Sequence, residues 1–194
     1  MRSALFVLCL SMLSACGHPT DGPGAAAHNF LQASVTRDAQ TLNTLLPQST
    51  KAQLNELHQA LKQIRSLISE HYQDETAKEA LKASGADILD IADTPGRLFD
   101  SLILRSGTPE QLSTSQEWSL RIRSTVIDGE TAQVTTWGGN LVRLVLEAKQ
   151  WQVLLNGDDT ARLSSLVTHA NGQLLEFKKM ATLNNAQRYG VKKQ

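Results

Sequence analysis

The stretch WSLRIRSTVIDGETAQVTTWGGNLVRLVLEAKQWQVLL, residues 118–155, decides the fold. From Trp118 onward, apolar residues alternate with polar ones such as Ser119, and this period of two predicts β-strands with one apolar and one charged face. The strands are separated by three turn signals, Asp128-Gly129, Gly138-Gly139 and Ala148-Lys149-Gln150. The sequence therefore predicts a meander of four antiparallel strands.

Helical periodicity precedes this meander. Residues 25–46 predict a helix interrupted near Thr36, with Asp38 capping a second segment that ends at Pro47. Thr50 and Gln53 then fit a capping box that opens a long helix. The apolar seam of this helix consists of Leu54, Leu57, Leu61, Ile64, Ile68 and His71.

Further helices are predicted on both sides of the meander. Residues 74–84 form one that Gly85 closes, and Thr94-Pro95 opens another that extends to Gly107. Thr108-Pro109 repeats that device for a single turn. The helical period returns from Asp158, with Asn171-Gly172 as a candidate break. A sheet with one apolar face needs a cover, so the predicted class is α+β: N-terminal helices, a four-stranded antiparallel meander packed on helices, and a C-terminal helix.

The N-terminus carries a targeting signal. Met1-Arg2 precedes an apolar run from Ala4 to Met12, which is too short to cross a bilayer but suits a cleaved export signal. The following Leu13-Ser14-Ala15-Cys16 resembles the lipobox of bacterial lipoproteins. The resemblance implies cleavage between Ala15 and Cys16 and a lipid on the Cys16 thiol, whose acyl chains would hold the protein at the membrane. The alternative is an ordinary cleaved signal that leaves Cys16 as a free thiol.

The lipobox also implies a location and a domain plan. In Gram-negative lipoproteins, Asp after the cysteine favours the inner membrane; Gly17 stands here, so the resemblance implies the periplasmic face of the outer membrane. Residues 1–15 are then the signal peptide, 16–27 a lipidated flexible tether rich in Gly, Pro and Ala, and 28–194 a single α+β domain. Cys9 leaves with the signal, so the mature chain is expected to have no disulfide.

The charge balance is close to neutral. Of the 19 basic residues only Arg2 lies in the signal, which leaves 18 basic against 19 acidic residues. Nucleic-acid binders and polybasic membrane patches show clustered Lys and Arg, and no such stripe is present. We therefore expect no nucleic-acid partner, and membrane attachment through the N-terminal lipid.

Two segments resemble the NTF2-like (cystatin-like) superfamily, in particular its small exported lipoproteins. These are AHNFLQASVTRDAQTLNTLLP (residues 27–47), similar to an opening helix, a polar turn and a second helix, and AKQWQVLL (residues 148–155), similar to a late strand. The resemblance implies a curved sheet around a hydrophobic cone. Some members of this superfamily use an Asp or a His-Asp pair there as a general base.

The residues favour no such catalyst. The carboxylates of the meander, Glu117, Asp128, Glu130 and Glu147, fall at strand ends or turns and not on the apolar face. His58 lies off the helix seam and His71 at a helix end, and no His-x-x-x-His or Cys-His spacing predicts a metal site. Asn156-Gly157-Asp158-Asp159 lacks the spacing of a calcium loop and is interpreted as a turn with an N-cap. No metal, cofactor or enzymatic activity is therefore expected.

The three tryptophans lie in the predicted meander. Trp118 and Trp151 are predicted core residues, and Trp137, beside two glycines, is predicted to be exposed. In the alternative, all three share one face and line an apolar pocket. Arg121, Arg123 and Arg143 are expected on the solvated outer face of the sheet.

These observations predict a lipid-anchored envelope protein with a non-enzymatic binding role, its ligand a small apolar molecule or an envelope protein held in the concavity of the sheet. The alternative is an accessory or structural subunit of an envelope complex, docking through the seam of the helix at residues 50–72. Solvent exposure of Leu57, Ile64 and Ile68 would favour that alternative, and their burial would oppose it. A further alternative, an NTF2-like enzyme, requires a buried carboxylate or histidine pair facing a cavity.

Overall fold

The computed structural model describes residues 22–104 and 111–190, and its account of side chains ends at residue 183. The predicted signal peptide, Cys16, the helix end at Gly107 and the turn at Thr108-Pro109 lie outside the described residues. The fold is α+β, as predicted: helices, a four-stranded antiparallel sheet, and a long C-terminal helix.

Two short helices open the described chain and meet at a corner. Helix α1 spans Pro23–Thr36 and α2 spans Ala39–Thr44. Arg37 takes a left-handed conformation between them (φ 57°), and the Asp38 carboxylate caps α2 by accepting from the Thr41 amide at 3.1 Å. The predicted interruption and cap are confirmed. The tether boundary at residue 27 is wrong, because α1 begins at Pro23 and its Ala27 is fully buried.

Helix α3 spans Gln48–His71, and its apolar seam forms much of the core. The predicted capping box at Thr50 and Gln53 is wrong, since the helix begins two residues before Thr50 and Pro47 occupies the N-cap position. The Glu147 side chain of the sheet compensates by accepting from the Gln48 amide at 3.0 Å. This contact joins the start of α3 to the end of a strand.

A series of short helices links α3 to the sheet. Gly85 takes a left-handed conformation (φ 69°) and ends the helix of residues 74–84, as predicted. Thr94 caps the helix that begins at Pro95, also as predicted. The short α-helix that begins at Pro95 is followed by a π-helical turn. In chain order these elements are α4 (Asp74–Ser84), a 3₁₀ helix (Ala86–Asp90), α5 (Pro95–Phe99), a π-helical turn (Asp100–Leu104) and α6 (Thr114–Leu120).

Helix α6 replaces what the sequence predicted as the beginning of the first strand. Ser113 and Gln116 form a capping box in which each side chain bonds the other's backbone, and this fixes a helical turn directly before the sheet. Trp118 and Leu120 are consequently helical. Two apolar residues separated by one polar residue were too short a pattern to distinguish a strand from a helix end.

The sheet follows as a simple meander in the order β1-β2-β3-β4. Three tight turns connect the strands where they were predicted, and residues with positive φ occupy them: Gly129, Gly139, Ala148 and Lys149. The strands are β1 (Ile122–Asp128), β2 (Thr131–Thr136), β3 (Leu141–Glu147) and β4 (Gln150–Leu154). The predicted meander is confirmed.

The two faces of the sheet have different surroundings. Helix α1 packs across one face, where Val134 and Leu144 are fully buried. The connection between α2 and α3 covers the outer edge of β4, because the Val153 amide donates to the Leu45 carbonyl at 2.7 Å. The other face, on the side opposite α1, carries exposed side chains such as Arg143. We call it the outer face.

Helix α7 spans Gly157–Gly190 and packs along α3. Asn156 caps it by accepting from the Asp159 amide at 2.8 Å, as predicted. The candidate break at Asn171-Gly172 is wrong, since the helix continues through both residues. Glycine in a helix interior costs about 1 kcal/mol relative to alanine, which tertiary packing over a long helix easily offsets.

Candidate interaction surfaces

Two exposed tryptophans lie against each other at the junction of α6 and the sheet. The rings of Trp118 and Trp137 have centroids 5.6 Å apart and an interplanar angle of 33°, and each residue remains 51% exposed. We call them the tryptophan pair. The prediction that Trp137 is exposed is confirmed, whereas the core position predicted for Trp118 is wrong because α6 presents it to solvent.

Backbone contacts fix the position of this pair. The Trp137 amide donates to the Arg121 carbonyl at 2.9 Å, and the Gly138 amide donates to the Ser119 carbonyl at 2.8 Å. A Cβ on Gly138 would lie 2.9 Å from the Ser119 carbonyl oxygen, closer than real contacts allow. Only glycine lets the turn between β2 and β3 approach α6 this closely, and these contacts fix the backbone positions of Trp118 and Trp137 relative to each other.

A cation adjoins the tryptophan pair. The guanidinium carbon of Arg123 lies 5.5 Å from the centroid of the Trp137 ring, a cation–π distance. Arg123 lies where the register between β1 and β2 shifts, between Ile122 and Ser124. Arg121 is also exposed. The acidic residue Glu117, which lies between Gln116 and Trp118 on α6, is exposed as well. The predicted solvent exposure of Arg121, Arg123 and Arg143 is confirmed.

A second surface is the outer face of the sheet. Cross-strand pairing aligns Val126, Gln133, Arg143 and Leu154 in one row, and Leu141 lies in the next row, opposite Thr135. The three apolar members, Val126, Leu141 and Leu154, are 64%, 54% and 41% exposed. We call these three residues the sheet patch.

Trp151 lies apart from the tryptophan pair. It is half-buried, packs against the core and faces Leu146 across the β3–β4 pairing. Its predicted association with the core is confirmed. The alternative in which all three tryptophans share one face and line a pocket is wrong.

Buried polar side chains in the described residues hold the helices together. Asp100 is buried, and its carboxylate accepts from Arg37 Nε at 2.7 Å. His58, which the sequence predicted to lie off the helix seam, is buried, and its Nε2 donates to the Asp93 carbonyl at 2.8 Å. Gln152 places its side-chain amide within 2.6–3.1 Å of the Thr44, Leu45 and Leu46 carbonyls, to which only its nitrogen can donate. Sequence patterns gave no sign of these long-range contacts.

One titrating group is perturbed by its cap geometry. Hydrogen bonds from the Thr41 hydroxyl and the Thr41 amide hold the pKa of Asp38 below its ordinary value. The Thr41 hydroxyl lies 2.6 Å from the carboxylate and is the largest single cause of the lowered pKa. Among residues 22–104 and 111–190, no three His, Cys, Asp or Glu side chains gather closely enough to hold a metal ion.

The α3 seam is not a docking surface. Ile64 and Ile68 are fully buried and Leu57 is 2% exposed, because α7 packs along this helix within the same chain. The predicted mode of docking through the seam is therefore wrong. The accessory-subunit alternative would need another surface.

Comparison with family models, with curated proteins and with solved structures yields no significant match to this chain. The resemblances to lipoproteins and to the NTF2-like superfamily therefore stay predictions. Within the part of the chain that the structure describes, no helix combines the length and the apolar character needed to cross a bilayer.

Proposed function

We propose that this protein is a lipoprotein anchored through Cys16 to the periplasmic face of the outer membrane, where its sheet patch binds an envelope protein. The role is binding and not catalysis. The anchor is supported by the match of Leu13-Ser14-Ala15-Cys16 to a lipobox behind a basic and apolar leader. The binding role is supported by one observation, the exposed apolar residues on the outer face of the sheet.

The composition of the outer face resembles that of a protein interface. In the row of the outer face, Gln133 and Arg143 lie between Val126 and Leu154, so apolar contact and hydrogen bonding are both available. Non-obligate interfaces have this mixed character, and arginine is enriched in them. A fitting partner presents an apolar strip with a carboxylate opposite Arg143.

The opposite face of the sheet favours a protein partner over a small apolar ligand. Helix α1 fills that face: Ala27, Val134 and Leu144 are buried, and the Cβ position of Gly24 lies 3.6 Å from the Ile122 side chain. A ligand in the sheet concavity would have to displace these contacts. A ligand-binding role is therefore the less supported of the two binding roles.

The buried polar groups support a role without chemistry. The Asp100 carboxylate is bound by Arg37, and His58 is bound to a backbone carbonyl, so both serve packing between helices. A general base needs a substrate within hydrogen-bonding reach. These two groups point instead at other parts of the fold.

The anchor is tested by replacing the thiol. Cys16→Ser should move the protein from the membrane fraction to the soluble fraction and abolish incorporation of labelled palmitate. Cys9→Ser is the matched control, because this thiol leaves with the signal and its loss should change neither result. Unchanged fractionation of Cys16→Ser would contradict the anchor.

The binding role is tested by photo-crosslinking in cells. A photoreactive residue at Leu141 should give a discrete protein adduct, and the same residue at Ile91, which is 69% exposed on another part of the fold, should not. Val126→Glu should remove the Leu141 adduct, since a charge in the sheet patch opposes apolar contact. No adduct at Leu141, or equal adducts at both positions, would contradict this role.

A further inference from the structure

We infer that the tryptophan pair and Arg123 form a membrane-docking surface that inserts into the interfacial region of the bilayer to which Cys16 is attached. This inference rests on the proposed lipid anchor and adds the orientation of the domain on the membrane. It assigns a role to two large exposed aromatic side chains that the fold itself does not bury.

The tryptophan pair lies beside the point where the chain enters the domain. Helix α1 begins at Pro23, and the Cβ position of Gly24 in its first turn lies 3.6 Å from side-chain atoms of Ile122 and Thr125. Farther along α1, His28 Nδ1 lies 3.2 Å from the Leu120 carbonyl oxygen of α6. The start of α1 is thus in contact with the α6–β1 junction, which carries Trp118 and Arg123.

The length of the tether limits how far this junction can be from the lipid. Seven peptide units separate Cys16 from Pro23. A fully extended chain of that length spans at most about 25 Å. A domain held on so short a tether keeps the surface around its first helical turn close to the headgroups, whichever way it rotates.

The chemistry of the surface suits that location. Tryptophan concentrates at membrane interfaces because its ring is apolar while its N–H reaches polar groups. Arginine binds phosphate through several N–H groups, and Arg121 and Arg123 outnumber Glu117 here. A bilayer interface thus offers the apolar depth and the anionic oxygens that this surface can use. The short tether makes it the nearest partner.

The rigid geometry of the pair lowers the cost of docking. The contacts of Gly138 with Ser119 hold Trp137 against Trp118 in the free protein. Side chains that are already ordered lose less conformational entropy on binding. The two rings can therefore insert together as one wedge.

The test uses the lipidated protein purified from its own membranes and reconstituted into vesicles of phosphatidylethanolamine and phosphatidylglycerol. A Trp151→Phe background leaves the tryptophan pair as the indole fluorophores. Flotation first shows whether the protein is anchored. Phospholipids brominated close to the glycerol should then quench the emission, and iodide in the buffer should quench it less than it does for the Cys16→Ser protein without vesicles.

Charge reversal makes the test specific. Arg123→Glu should lower the ratio of docked to undocked protein by roughly thirtyfold, because reversing one charge changes the headgroup interaction by two unit charges. Lys62→Glu carries the same reversal on an exposed position of α3 and should leave the quenching unchanged. Equal effects of the two variants would overturn the docking surface.

The outcomes separate this inference from the proposed function. If the protein floats with vesicles while the tryptophan pair stays open to iodide and escapes the brominated lipids, the docking surface is wrong and the anchor stands. If the protein does not float, the anchor is wrong and the docking surface falls with it. Flotation together with quenching that Arg123→Glu removes supports both.

Discussion

Arg37 donates from Nε to the Asp100 carboxylate across 2.7 Å, and this ion pair joins the corner between α1 and α2 to the π-helical turn after α5. The Asp100 side chain is 7% exposed and that of Arg37 is 26% exposed. The pair lies 63 residues apart in sequence, so it closes the helical half of the fold onto itself.

Removing the arginine from this pair should destabilise the fold. We expect Arg37→Met to lower the free energy of unfolding by about 3 kcal/mol, because it removes the Arg37 guanidinium from the buried Asp100 carboxylate. Arg97→Met is the control, since the Arg97–Asp93 pair is solvent-exposed (58% and 65%) and should contribute under about 1 kcal/mol. Urea denaturation measures both. Equal losses in the two variants would show that burial of the Arg37–Asp100 pair has no energetic consequence.

Replacement by alanine should change the stability of the fold in opposite directions at two glycines. Gly138→Ala places a Cβ 2.9 Å from the Ser119 carbonyl oxygen, so the turn must move and stability should fall by about 1 to 3 kcal/mol. Gly172→Ala meets open space within a helix and should raise stability by about 1 kcal/mol. Thermal unfolding gives the signs. Circular dichroism should also show loss of the Trp118–Trp137 exciton signal in Gly138→Ala alone, and its persistence would contradict the docked turn.

The Asp38 cap should make a small, pH-dependent contribution to the free energy of unfolding. Asp38→Ala should cost about 1 kcal/mol at neutral pH, because the Thr41 amide loses its acceptor. The pKa of Asp38 is lowered in the folded state, so its charge stabilises the fold above the unfolded pKa. That part of the contribution disappears as the pH falls through the folded pKa, which lies below the ordinary value of an aspartate.

The difference between Asp38→Ala and the unaltered protein should therefore narrow in acid. Asp38→Asn should retain most of the cap at neutral pH and lose the pH dependence. Denaturation at several pH values checks this. A difference that widens in acid would reverse the assigned sign.

Gln152 tests the attachment of the sheet edge to the α2–α3 connection. Gln152→Glu replaces a donor by a carboxylate that faces three carbonyl oxygens, and we expect a loss of about 2 to 3 kcal/mol at neutral pH. Gln133→Glu makes the same change on an exposed strand position and should alter stability by about 0.5 kcal/mol or less. Matched losses in the two variants would contradict the assigned hydrogen bonds. Acidification should narrow the difference in stability between Gln152→Glu and the unaltered protein, because protonation of the introduced carboxylate restores a donor.

The meander and several helix ends were predictable because local chemistry determines them. Gly129, Gly139 and Gly85 occupy positions with positive φ, and Asp38 and Thr94 cap helices through contacts three residues away. Such features depend on neighbours in sequence. A single sequence therefore carries them.

The surfaces were harder to predict because tertiary packing decides them. The α3 seam has an interaction-like pattern, but α7 covers it. The alternating pattern predicted that Trp118 begins a strand, but the Ser113–Gln116 capping box makes it helical. Its ring contacts Trp137, which lies in the turn between β2 and β3. Gln152 and Asp100 acquire partners from distant segments, and no local pattern identifies such partners.

The lipid on Cys16 is the claim on which the membrane docking and the envelope partner both depend. Mass spectrometry of the N-terminal peptide from the membrane-bound protein tests it most directly. The account predicts a peptide that begins at Cys16 and carries the added mass of a diacylglyceryl group with its acyl chains. A peptide that begins elsewhere, or an unmodified Cys16 thiol, would contradict it.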